Sequence, residues 1–332
     1  MTIGLVIGKF MPPHTGHLHL CAVAAAQVDD LHVVLFSKPT EPIPGDLRLA
    51  WLRELLPNAG LSHVTVEHRV DFDDAQAWDF WVNAIRGMLP RDPTVVFSSE
   101  AYGDELARRL GARHVAVDPA RTQVPISAAQ IRARPITHWG FIPAPVRPYF
   151  VRRVAIVGAE CTGKTTLARA LAETFQTVWV PEYAREYLFD RGQACTPADL
   201  QVIAQRQAAL DDDLARQANR VLICDTNLLT TQLWHEHYFG ECPADIRRLA
   251  RQRTADLTLF CSADVPWVAD GLRDAPASRE WFQQRFQQEL TAQGQPYVIL
   301  SGSFEQRRAT AIQHVVQVLA TDRPLTRLSI PC

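Results

Sequence analysis

The sequence predicts an α/β protein built as two doubly wound parallel-sheet domains in tandem, with a first domain over residues 1–150 and a second over residues 151–332. Two observations carry this. Short, continuously apolar runs alternate with amphipathic helical segments, and this pattern starts twice, each time with a strand that runs into a glycine-bearing turn. Between the two series, residues 135–148 carry four prolines together with Trp139 and Phe141. A length of 332 residues suits two cores of roughly 100–200 residues each.

In the first series, residues 5–8 read as strand, 17–28 as helix and 31–37 as strand. Helix over 47–56, strand over 64–67 and helix over 76–88 follow. Residues 94–98, 104–110 and 114–117 then give strand, helix and strand. Runs such as Val33-Val34-Leu35-Phe36 do not alternate with polar residues, so these strands are buried on both faces, as in a parallel sheet covered by helices. Ligands of such sheets bind beyond the carboxyl ends of the strands. Prolines exclude a regular helix over 135–148, and the aromatics there suit a packed connector rather than a Gly/Ser tether. The second series reads as strand 153–157, helix 164–175, strand 178–181, a long polar helix 197–219, strands 221–225, 257–261 and 297–300, and a closing helix 304–319.

Composition narrows the function. An apolar fraction of 47% is that of an ordinary globular protein, and a net charge of −2 gives no electrostatic reason to expect nucleic-acid binding. No apolar run approaches the ~20 residues that span a bilayer, and the N-terminus lacks a signal-peptide pattern, so no membrane association and a cytoplasmic location are expected. The seven cysteines include no CxxC pair, which argues against a zinc site or a disulfide framework. No sequence feature reports on assembly, and a homo-oligomer stays open.

The segment Gly158-Ala159-Glu160-Cys161-Thr162-Gly163-Lys164-Thr165-Thr166 matches GxxxxGK[ST] between a strand and a helix. Gly158 and Gly163 let the backbone wrap phosphates, and the helix start adds its positive end. Lys164 is placed to reach the β- and γ-phosphates of ATP, with the Thr165 hydroxyl on Mg²⁺ and Thr166 beside it. Asp225, at the end of strand 221–225, is the acid expected to hold Mg²⁺ with Thr165. In Pro181-Glu182-Tyr183-Ala184-Arg185, Glu182 sits at a strand end where a base could take a substrate hydroxyl proton, while Tyr183 and Arg185 could face substrate. A solvated helix start is the alternative for Glu182 and Arg185. Farther on, Trp267 and Asp270 are candidate substrate contacts, and Arg273 could stabilise the transferring phosphoryl group. Glu182 and Asp225 both remain candidates for the base.

The N-terminal segment Gly8-Lys9-Phe10-Met11-Pro12-Pro13-His14-Thr15-Gly16-His17 is a second phosphate-handling turn. Gly16 leaves room at a helix start, His14 and His17 can donate hydrogen bonds, and Lys9 adds full charge; Gly8 and Phe10 flank the turn. A metal site is disfavoured because the motif holds no Cys, Asp or Glu. In Ile126-Ser127-Ala128-Ala129-Gln130-Ile131-Arg132, Ser127 can cap a helix while meeting a phosphate, and Arg132 can project its fork toward the same oxygens. Trp78 and Trp81, three apart on one helix, are candidates to hold a flat aromatic cation, with core packing as the alternative. Glu100, after the strand 94–98, could line the same pocket.

Together these motifs resemble a known group. The first turn with the later Ile-Ser-Ala-Ala-Gln-Ile-Arg is similar to the nucleotidyltransferases that include nicotinamide mononucleotide adenylyltransferases. Their order with Arg147-Pro148-Tyr149-Phe150-Val151, the phosphate loop, Cys224-Asp225-Thr226-Asn227 and Trp267-Val268-Ala269-Asp270-Gly271-Leu272-Arg273 resembles the bifunctional NadR proteins across nearly the whole chain. That resemblance implies ATP-dependent phosphorylation of nicotinamide riboside to the mononucleotide (NMN), then adenylyl transfer from ATP to NMN giving NAD. Other nucleosides as substrate, or a sensor with one non-catalytic site, are the competing readings. Longer family members carry an N-terminal DNA-binding domain; here the first strand opens the sequence, and DNA binding is not expected.

Overall fold

The computed structural model describes residues 1–66, 75–191, 194–267 and 278–321. The chain divides into two compact units, with the division between Val146 and Arg147.

In the first unit the elements are β1 (Ile3–Gly8), α1 (Thr15–Ala25), β2 (Asp30–Ser37), α2 (Gly45–Leu55), β3 (Gly60–Thr65), α3 (Ala75–Arg86), β4 (Val95–Ser98), α4 (Tyr102–Leu110), β5 (Arg113–Ala116) and α5 (Ala128–Ala133). The sheet order is β3-β2-β1-β4-β5, and every pair is parallel. After β3 the chain returns to the other side of β1, which opens the crevice between the β1 and β4 ends where ligands of such sheets bind. Side chains alternate across β1. Leu5 and Ile7 pack with Val34, Phe36, Trp81 and Ile85 on one face, while Val6 packs with Leu20, Val33 and Phe97 on the other.

One strand is displaced from its sequence reading. β3 runs Gly60–Thr65, four residues earlier than the 64–67 reading at its start. Its register pairs Gly60 with His32 and Thr65 with Ser37. The polar first half, with Ser62 and His63, belongs to a half-buried edge strand, so apolar content alone could not reveal it.

Two side-chain triplets fasten strand ends to the helices that follow. Ser37 Oγ lies 2.7 Å from His63 Nε2, and His63 Nδ1 lies 3.3 Å from Asp46 at the start of α2. Likewise Ser98 Oγ is 2.9 Å from His114 Nε2, and His114 Nδ1 is 2.7 Å from Asp104 in the first turn of α4. Both triplets stiffen the sheet edge that borders the crevice. Residues 135–148 form short 3-10 turns at Trp139–Phe141 and Ala144–Tyr149, with Ile136, Trp139, Ile142 and Val146 buried, as a packed connector requires.

The second unit contains β6 (Arg152–Val157), α6 (Lys164–Thr174), β7 (Trp179–Val180), α7 (Tyr183–Arg191), α8 (Pro197–Ala215), β8 (Val221–Asp225), α9 (Leu228–Phe239), α10 (Ala244–Gln252), β9 (Leu257–Cys261), α11 (Arg279–Ala292), β10 (Tyr297–Leu300) and α12 (Phe304–Ala320). Its sheet order is β7-β8-β6-β9-β10, again all parallel. β6 is central and fully buried over Val154–Val157. Helix α8 starts where Thr196 and Asp199 form a capping box with Pro197 at the first turn. It stops at Ala215 rather than 219, because Asn219 bridges to Val221 and Arg220 takes a left-handed φ of 67° to enter β8. Helices α9, α10 and α11 fill the interval after β8 and after residue 277. Among the described residues no helix is long and apolar enough to cross a membrane.

Candidate active sites

The first site is a cavity of about 640 Å³ at the β1/β4 crevice. It gathers Gly8, Lys9, Phe10, His14, Gly16, His17, Trp81, Glu100, Ser127 and Arg132. A volume of this size suits a nucleotide-sized ligand.

His14 is the N-cap of α1, and its Nδ1 accepts a hydrogen bond from the Gly16 N–H at 3.1 Å. That bond leaves the ring proton on Nε2, free to donate. The His14 and His17 rings lie 3.8 Å apart, with Phe10 at 4.9 Å behind His17. Burial, with Arg121 adding to it, lowers the His14 pKa to about 4. Burial, His14 and Arg121 together hold His17 well below the usual histidine range. Near neutrality both rings are therefore uncharged and sit beside the N-terminus of α1, a ready place for an anion. Gly16 is required by its neighbour: a Cβ there would come 2.9 Å from His14 Cε1. The space it spares is taken by the His14 ring.

Charge enters around these rings. Lys9 is 61% exposed and pairs with Glu41 at 3.3 Å. Arg48, with no exposed side-chain surface, donates to the Lys9 carbonyl at 2.6 Å and to Glu41 at 2.7 Å. Arg132, on α5, donates to the Met11 carbonyl and so pins the motif. Ser127 caps α5 in a full capping box. Its hydroxyl and its N–H both bond to the Gln130 side chain, so both groups serve the helix cap. The two tryptophans part company. Trp81 lines the cavity, edge-on to Phe36 at 4.3 Å, whereas Trp78 lies in the core beneath the Arg109 guanidinium at 5.4 Å and does not line it. For Trp78 the packing alternative describes its position, against Arg109 of α4.

The second site lies where β6 runs into α6. Gly158 (φ 144°) and Gly163 (φ 82°) hold backbone conformations that side chains rarely adopt, and a Cβ on Gly158 would strike the Cys261 carbonyl. Lys164 Nζ folds over the loop to the Ala159 carbonyl at 2.9 Å. Thr165 Oγ1 donates to Asp225 Oδ2 at 2.5 Å, while the buried Asp225 Oδ1 has no hydrogen-bond partner. Burial raises the Asp225 pKa against the Thr165 hydrogen bond and the charges of Lys164 and Arg185. Glu182 is raised as well, by burial and by Asp225, with Lys164 and Arg185 opposing. Lys164, Glu182, Arg185 and Asp225 therefore share one electrostatic neighbourhood. An orphaned carboxylate oxygen beside a threonine hydroxyl fits a hard divalent cation whose remaining ligands are phosphate and water. Among the described residues no three His, Cys, Asp or Glu side chains converge on a metal site.

Thr166 is exposed in the first turn of α6. The Tyr183 N–H donates to Gln207 at 2.8 Å, and its ring lies 5.9 Å from that of Tyr187. Trp267 is half-buried with the Arg279 guanidinium 5.9 Å from its ring. Asp270 and Arg273 lie outside the described residues.

Four contributors escaped the sequence reading: Glu41, Arg48 and Arg121 in the first unit and Arg307 in the second. Arg307, on α12, is buried and donates to the carbonyls of Thr162 (3.2 Å), Ser262 (3.3 Å) and Gly302 (3.0 Å), and to Asp264. It ties the phosphate loop to the ends of β9 and β10. A single arginine within an otherwise ordinary amphipathic helix carries no motif; for Arg48, a charge on the buried stripe of α2 was the available signal.

Comparison with known proteins agrees with both halves. The AAA domain family model matches residues 153–307. The trifunctional NAD biosynthesis/regulator protein NadR of Escherichia coli (strain K12) is 35% identical over 299 residues, covering 83% of this chain and 73% of its own. The nicotinamide-nucleotide adenylyltransferase of Pyrococcus furiosus is 27% identical over 191 residues, 55% of this chain and 100% of its own. The crystal structure of a NadR protein in complex with NAD and AMP-PNP shares the fold, with a TM-score of 0.80 at 24% identity, covering 99% of this chain and 98% of that one. An identity of 35% over 83% of this chain and 73% of that relative shows that the chain belongs to the NadR family.

Proposed function

We infer that this chain catalyses two consecutive reactions of NAD synthesis. The second unit transfers the γ-phosphoryl group of ATP to nicotinamide riboside, and the first transfers the adenylyl group of a second ATP to the NMN so formed. The observation that carries this reading is the presence, in one chain, of two phosphate sites of different chemistry, each at the end of its unit's first strand.

In the second unit, backbone N–H groups from Gly158 to Thr165 and the Lys164 ammonium would receive the ATP phosphates. Thr165 and Asp225 would hold Mg²⁺, which neutralises phosphate charge when bound. Asp225 is tied to Thr165, which leaves Glu182 to take the proton of the ribose hydroxyl. Its raised pKa brings it closer to the operating pH, as a general base requires. Tyr183, Arg185 and Trp267 stand as riboside contacts.

In the first unit an NMN phosphate oxygen would attack the α-phosphorus of ATP and expel pyrophosphate. The nucleophile is already an anion, so no base is needed. Neutral His14 and His17, with Lys9 and Arg132, would stabilise charge on the reacting phosphates, a term of a few kcal/mol per preorganised donor. Trp81 and Glu100 stand as contacts for the pyridinium nucleotide.

Mass spectrometry of products from nicotinamide riboside, ATP and Mg²⁺ tests the whole scheme. NMN is expected first and NAD second. Product formation only from a non-pyridine riboside would overturn the substrate assignment.

A further inference from the structure

We propose that Arg121 is a further catalytic residue of the adenylyl-transfer site, exchanging its contact with Glu100 for the polyphosphate of the adenylyl donor. This rests on the reading of the first cavity as the site of adenylyl transfer.

The backbone that carries Arg121 is locked. Asp118 and Arg121 both hold left-handed conformations, with φ of 44° and 53°, which are uncommon outside glycine. The Asp118 carboxylate accepts from the N–H groups of Thr122 (2.7 Å), Gln123 (3.1 Å) and Val124 (3.0 Å) and from the Thr122 hydroxyl (3.1 Å). The Arg121 N–H closes the turn onto the Asp118 carbonyl at 2.9 Å. One carboxylate thus organises the whole segment between β5 and α5, and local strain of this kind concentrates at functional positions.

The side chain, by contrast, is lightly held. It lines the same cavity as His14, His17 and Arg132. Its partner there is Glu100, at 2.7 Å, and the two side chains are 44% and 56% exposed. Ion pairs this open to water are weak, whereas a guanidinium fork binds phosphate oxygens through paired, charge-assisted hydrogen bonds. Arg121 is also close enough to both imidazoles to depress their basicity.

The reaction explains the need. As the NMN phosphate oxygen bonds to the α-phosphorus, the bond from that phosphorus to the bridging oxygen breaks, and the electron pair leaves on pyrophosphate. His14 and His17 donate hydrogen bonds without net charge, and the two cations already assigned to the reacting phosphates, Lys9 and Arg132, also hold Glu41 and the Met11 carbonyl. Arg121 brings a cation to the departing group from a fixed backbone with a free arm.

The test uses the full chain with NMN and ATP supplied, and NMN formation from riboside in the same preparation as the folding control. Arg121→Ala is expected to lower kcat/KM for ATP by about 30-fold or more, with the KM for NMN within about threefold and the kinase rate unchanged. Arg121→Lys should recover part of the loss. If Arg121→Ala also weakens the kinase, the same thresholds are read on Arg121→Gln, which keeps most of the stem without the charge. An unchanged kcat/KM for ATP, or a loss confined to the KM for NMN, overturns the proposal. Failure of the unmodified chain to make NAD from NMN and ATP overturns instead the reading of the cavity on which it rests.

Discussion

The cavity behind β1 holds buried imidazoles that stay neutral, whereas the loop behind β6 sets a lysine among two carboxylates that burial drives toward protonation. The first arrangement can accept an anion directly, since its donors are oriented and its cations sit at the rim. The second is electrostatically incomplete. An orphaned Asp225 oxygen and the repulsion between Asp225 and Glu182 leave room for added positive charge. Similar topology, two parallel sheets with a glycine-bearing turn after the first strand, thus supports opposite charge designs.

The sharpest way to break the comparison is to disable one site and assay both. Lys164→Ala should reduce riboside phosphorylation by about 10³-fold while adenylylation of supplied NMN is retained, since the cation that faces the transferring phosphoryl group is lost. His17→Ala should do the reverse, lowering adenylylation by about 10²-fold with the kinase rate intact. Loss of both activities in either variant would mean that the sites are not separable, and the two-site reading would fail.

Acid titration probes the charge designs themselves. His14 binds its proton in the unfolded chain near pH 6.5 but in the folded one only near 4. The first unit should therefore lose stability as the pH falls through this window, by roughly 3 kcal/mol at pH 4 from His14 alone. Glu182 and Asp225 have the opposite sign: raised folded pKa values mean that the second unit gains stability as pH falls through them. Buried Asp211 acts in the same direction. Calorimetry on lowering the pH from neutrality should show two transitions that shift oppositely, the first unit's downward and the second unit's upward; a common downward shift would contradict the contrast.

The smallest effect separates the tryptophans. Trp81→Phe should raise the KM for NMN several-fold with little change for riboside phosphorylation. Trp78→Phe should leave both KM values unchanged and cost about 1–2 kcal/mol in denaturant unfolding through lost packing. Equal KM effects would put both rings in the pocket.

Much of this was legible before the fold was seen. The strands β1, β2, β4, β6, β8, β9 and β10 announce themselves as β-branched apolar runs, and the two phosphate turns as fixed spacings of Gly, His, Lys and Thr. What escaped had a common cause. β3 is half polar because it lies at an edge, so apolar content misplaced it. Trp78 and Trp81 have the same residue type on the same helix, and only their packing against α4 and Phe36 tells them apart. Ser127 was read as a helix cap beside the phosphate turn, and it closes a full capping box with Gln130 at the cavity wall.

By itself the sequence determined the two doubly wound units, the order of the motifs and the chemistry of each turn, because these depend on local spacing and on periodicity along the chain. The tertiary structure decided which distant charges act on them. Arg48 and Arg307 reach the Lys9 and Thr162 carbonyls across 39 and 145 residues of chain, and the Arg121 charge acts on His17 from 104 residues away in sequence. Such electrostatic and carbonyl interactions leave no periodic signature, and they exist only once each parallel sheet has gathered its own strand ends.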